Sequence, residues 1–187
     1  MDAVLIKFKN IINIKTIILD LFLITAIYFV PTISHFLNIP VYLFEPMRII
    51  IILSFVHTNK LNSYLLAVTL PLVSFLFSGH PAFPKIALVM FELIINVWII
   101  FYLFNLLQKN PVFRFEKYYR IGISFAVFSS IVISKIFYYS LKYLFVYSLL
   151  IKTELLSTPL IIQFITTFSL CLYVFFTIKS DHIKREV

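Results

Sequence analysis

The chain has 187 residues, of which 61% are hydrophobic and 13% charged, with a formal net charge of +8. A soluble domain is nearer half apolar and a quarter charged, and the mean hydropathy here is +1.01, so a water-soluble fold is excluded. Only two glycines are present, and the apolar segments run about 17–25 residues instead of alternating over ten, which argues against a transmembrane barrel.

The expected fold is therefore all-α: a polytopic membrane protein, one domain over residues 1–187, with six transmembrane helices in one bundle. The first span is predicted at Ile11–Val30. Its end, AIYFVPTISHF, offers no small-residue cleavage site, so the segment is expected to stay in the bilayer rather than be removed. Asp20 lies mid-span with Thr16 one turn away, and is expected to be protonated or satisfied by hydroxyls rather than to relay protons. The second span is predicted at Val41–His57 and the third at Leu61–Ser78, with Pro71 expected to kink it. The fourth follows at Pro84–Leu107, the fifth at Tyr119–Tyr139 and the sixth at Pro159–Ile178. Pro31, Pro40, Pro81, Pro84, Pro111 and Pro159 sit at or near these boundaries, where a missing amide costs least. The tyrosine-rich connection Ser140–Thr158, with Tyr143 and Tyr147, reads as an interfacial segment. The single cysteine, Cys171, lies in an apolar run and reads as a packing residue.

Basic residues set the orientation. With the N-terminus inside, eleven fall on the inner side (Lys7, Lys9, Lys15, Lys60, Lys109, Arg114, Lys117, Arg120, Lys179, Lys184 and Arg185) and three on the outer (Lys85, Lys142 and Lys152). Arg48 and Lys135 lie within spans. Both termini are thus expected to be cytoplasmic, in a prokaryotic inner or plasma membrane. The positive charge reads as topology, with no nucleic-acid partner.

Charges inside spans cost at least a few kcal/mol each, so they ask for a partner or a use. In this topology Glu45 and Arg48 open the second span, and His80 lies in the outer loop beyond the third. Lys85 sits at the mouth of the fourth span, with Glu92 about 10 Å deeper and Asn96 deeper again. Lys135 is near the outer end of the fifth. Lys85, Glu92 and Asn96 share one helical face. These seven residues are expected to border an outward-facing hollow that takes a small polar molecule. Pairing of Glu45 with Arg48, or of Glu92 with Lys135, to fix packing is the competing reading. Gly122, Ala126, Ser130 and Ser134, spaced by four, form a small-residue stripe expected to let another helix approach closely, within the chain or from another subunit.

No HExxH, paired CxxC, GxSxG or GxxxxGK[ST] occurs, so no catalytic residue, metal or cofactor is expected. Histidines 35, 57 and 80 fall on different segments, which argues against a three-histidine metal site.

Through FEPMRIIIIL at the start of the second span and SGHPAFPKIALVMFELIINVW across the third loop and fourth span, the chain resembles the substrate-binding S components of energy-coupling factor (ECF) vitamin transporters. The resemblance covers roughly residues 10 to 180 as architecture. It implies six helices, cytoplasmic termini, an outward-facing site for a vitamin-like ligand, and docking on a transmembrane coupling subunit with cytoplasmic ATPases. Many members carry an AxxxA docking face on the first helix. Ile11–Val30 lacks it, so either other small residues such as Ser63 and Ala67 serve for docking or the chain is a relative that does not dock. A scaffold of the rod-shape-determining protein D type, recruiting partners through the Gly122–Ser134 stripe and the basic inner loops, is the alternative. An intramembrane enzyme using His80, Glu92 and Lys85 ranks third.

Overall fold

The computed structural model describes residues 14–79, 83–110, 115–148 and 159–178, and all regular structure among them is helical. In chain order these are α1 (Ile14–Leu37), a 3-10 turn (Val41–Phe44), α2 (Pro46–His57), α3 (Lys60–Ser78), α4 (Lys85–Lys109), α5 (Glu116–Tyr147) and α6 (Leu160–Thr177). Five of them, all but α2, are long and apolar enough to cross a membrane. The exposed large side chains are themselves apolar, among them Phe22, Phe36, Leu76, Phe125, Ile161 and Phe176. Apolar residues inside and outside alike are what a lipid solvent requires, because hydrocarbon cannot hydrate polar groups.

Three predicted elements differ from the fold. The first helix runs through Pro31 to Leu37, instead of stopping at Val30, since a spanning helix tolerates the loss of one amide donor. The expected continuous second span is broken. Glu45 takes a left-handed conformation (φ 54°, ψ 56°) between the 3-10 turn and α2. The 12 residues of α2 rise only about 18 Å against a hydrocarbon core of about 30 Å. The fifth helix continues to Tyr147 rather than ending at Tyr139, and buries Lys142 completely. The segment 149–158 and His80 lie outside the described residues.

Neighbouring helices alternate in direction. On α4 and α5, Glu92 meets Lys135 while Asn96, further along α4, meets Ser130 and Ser134, further back on α5. On α5 and α6, Ser124 reaches Cys171 and Tyr139 reaches Gln163. α1 and α3 run parallel, joined by Asp20–Asn62 near one end and Tyr28–Phe77 near the other. α4 and α5 share the most extensive interface. The apolar core joins Ile51 and Ile52 of α2, Leu66 and Leu70 of α3, Val97 and Ile100 of α4, Val127 of α5 and Val174 of α6. This topology gathers the starts of α2 and α4 and the later turns of α5 at one end of the bundle. The candidate site forms there.

Candidate ligand-binding site

Glu45 occupies the N-cap position of α2, and Pro46 follows at the first helical position, where a missing N–H costs nothing. The left-handed backbone at Glu45 costs a non-glycine residue about 1–2 kcal/mol. Its carboxylate offsets that strain by pairing with two cations, Arg48 and Lys135. Such strain persists only where the surroundings over-determine it.

Four side chains close into a ring. Arg48 Nη1 lies 2.7 Å from Glu45 Oε2, an ion pair one helical turn apart, and Arg48 Nη2 contacts Glu92 Oε1. Lys135 Nζ contacts Glu45 Oε1 and lies 3.2 Å from Glu92 Oε1. Each carboxylate therefore touches both cations, and the ring is formally neutral. Arg48 and Glu92 are 4% and 6% exposed, and isolated charges at that depth would each cost several kcal/mol. The amine of Lys135 also sits 5.4 Å from the centre of the Tyr138 ring and 5.7 Å from that of Tyr139, a favourable cation–π distance. Two buried guanidinium atoms, Arg48 Nε and Nη1, have no hydrogen-bond partner among the described residues, and Nη1 keeps its ion pair with Glu45.

The ring forms one wall of a cavity of about 750 Å³, within the size range of small-molecule sites. The later turns of α1 contribute Ile27, Val30, Ser34 and His35, the 3-10 turn Tyr42, and α3 Ser74. Lys85, Val89 and Leu93 come from α4, and Tyr138 and Tyr139 from α5. A second hollow, about 1140 Å³, runs between α5 and α6 behind apolar and aromatic side chains, and Arg48, Lys135 and Tyr139 border it as well.

Of the residues singled out in the sequence, Glu45, Arg48, Glu92 and Lys135 thus meet directly, and Lys85 shares their cavity. Lys85 makes no ion pair among the described residues. Asn96 lies on the same face of α4 but turns into the α4–α5 interface. It is fully buried, and its Nδ2 donates to Ser134 Oγ at 3.2 Å and Ser130 Oγ at 3.5 Å. Those hydroxyls donate onward to Ile131 and Val127 carbonyls of their own helix. The stripe of Gly122, Ala126, Ser130 and Ser134 is buried along its length inside the chain, so it is not a surface for recruiting another subunit. Ser63 and Ala67 are also fully buried, which removes them as a docking face.

Ser34, His35, Tyr42, Ser74, Tyr138 and Tyr139 were not legible as wall residues. Hydroxyls and tyrosines carry little penalty in an apolar helix, so they raise no signal as charges do. The pair Tyr138–Tyr139, three and four residues after Lys135, was the available clue, since such spacings share a helical face.

The opposite end of the bundle carries a separate hydroxyl and amide chain. Asn62 Nδ2 donates to Asp20 Oδ1 at 2.8 Å and to Thr58 Oγ1 at 3.2 Å; Ser54 Oγ lies 2.8 Å from Thr58 Oγ1 and 3.0 Å from Ser63 Oγ. Ile51 and Ile52, both fully buried on α2, lie between that chain and Arg48 in sequence. Among the described residues there is no cluster of three metal-ligating side chains. Compared with protein-family models, with curated proteins and with solved structures, the chain matches none of them.

Proposed function

We propose that this protein is the membrane-embedded substrate-capture subunit of a micronutrient importer, taking a small polar molecule from the outer side. Energy comes from partner subunits, in the manner of an ECF transporter S component docked on a coupling protein and cytoplasmic ATPases. The reading rests on one observation: a cavity of about 750 Å³ at one end of a helical bundle, walled by charged side chains from three helices and by hydroxyls. The sequence count of basic residues, eleven on the expected inner side against three on the outer, supports an outward-facing cavity.

The test is retention of ligand. Protein purified without partners in an uncharged detergent is denatured, and the released small molecules are identified by mass spectrometry. One compound at about one per chain is the expected result. Val89→Phe, which adds bulk at the cavity wall without touching the ion ring, is expected to empty it while the protein still folds. Equal retention by Val89→Phe counts against this cavity, and no retained or titratable compound counts against capture. The scaffold alternative loses the Gly122–Ser134 stripe, which is occupied within the chain, and keeps the basic inner loops.

A further inference from the structure

The charges around the cavity are not equivalent, and the difference specifies the ligand's charge, granted the capture reading above. Glu45 and Glu92 are each engaged by both Arg48 and Lys135. A ligand ammonium group would have to compete with these two cations for either carboxylate. On the positive side one group is left over: Lys85 lines the cavity outside the ring and makes no ion pair among the described residues. Both α2 and α4 also begin at the cavity wall, at Pro46 and Lys85, so two helix N-termini turn their positive dipole ends the same way.

We infer that the ligand is a monoanion carrying a carboxylate or an equivalent acidic group, received by Lys85. Arg48, Lys135 and Lys85 stand against Glu45 and Glu92 around the cavity, so one negative charge brings it to neutrality, which a neutral or cationic ligand does not. The apolar wall of Ile27, Val89 and Leu93 with Tyr138 takes the uncharged remainder.

Three probes that share one ring separate the charge states: benzoate, benzamide and benzylamine. Each is titrated against the purified full-length protein while thermal unfolding is followed, up to concentrations on the order of tens of millimolar, where so small a ligand should register. Benzoate is expected to raise Tm and the other two are not. Lys85→Gln should weaken benzoate about tenfold or more, the loss of a charged hydrogen bond, and Lys85→Arg should restore it. Lys85 lies outside the ring, so neither variant threatens the fold. No shift with benzoate, equal shifts with benzamide or benzylamine, or an undiminished shift in Lys85→Gln would overturn the assignment. A retained native molecule that is neutral or cationic at neutral pH would overturn it too, while leaving capture standing. A benzoate-selective shift in protein that retains nothing would support the charge assignment and count against capture.

Discussion

Lys135 Nζ lies 3.2 Å from Glu92 Oε1, tying the middle of α5 to the third turn of α4 inside a medium that solvates neither. Arg48 closes the same circuit from α2. Removing one member therefore strands its partners. Arg48→Gln leaves one buried negative charge in excess and is expected to destabilise the protein by about 3–5 kcal/mol. Arg48→Gln combined with Glu92→Gln restores neutrality, so it should cost less than the sum of the two single changes, with a coupling of about 1 kcal/mol or more. Thermal unfolding of the three variants in detergent checks this, and strict additivity would mean the ring is not a unit.

At the α4–α5 interface two neighbouring substitutions should behave oppositely. Ser130 is fully buried against α4, so Ser130→Leu overpacks the contact and is expected to cost about 1–3 kcal/mol. Asn96→Leu should be nearly neutral, since both serine hydroxyls keep their own carbonyl acceptors and the amide removed has an Oδ1 without a partner among the described residues. Unfolding temperatures of the two variants, measured side by side, decide it.

Asp20 and Asn62 belong to the far end of the bundle. Asn62→Leu removes the donor that Asp20 accepts from and should destabilise by about 1–3 kcal/mol. Asp20→Asn is expected to leave ligand retention unchanged. Loss of retention in Asp20→Asn, with Tm preserved, would show that the two ends communicate.

Orientation has a direct measurement. In a Cys171→Ser background, Phe83→Cys and Lys109→Cys place single thiols at exposed positions at opposite ends of α4. A membrane-impermeant maleimide applied to intact cells should label the first, and the second only after permeabilisation. The reverse pattern would turn the cavity towards the cytoplasm.

The helical class was legible because long apolar runs admit few other solutions in lipid. The convergence of Glu45, Arg48, Glu92 and Lys135 was legible for a related reason: each charge is too costly to face hydrocarbon, so alternating helix directions leave few places for it. What escaped was conformational. Nothing in VYLFEPMR announces a left-handed glutamate; Pro46 alone is compatible with a helix that simply starts there. Asn96 shared a face with Glu92, but the serines across the interface claimed it, and that competition depends on how deeply α5 approaches α4. Lys142 looked like a loop cation because sequence alone could not show that α5 carries on past Tyr139.

The antiparallel contact of α4 with α5 carries one more consequence. Two oily helices can slide along each other by a turn and still find leucines and isoleucines to pack against, so apolar matching is a poor ruler. Here Glu92 opposite Lys135, and Asn96 opposite Ser130 and Ser134, act as graduations on that ruler. A slip of about 5 Å would part Glu92 from Lys135 and leave Asn96 with one serine instead of two. The polar contacts thereby set the register of the two helices, and with it the height at which Lys85 meets the cavity.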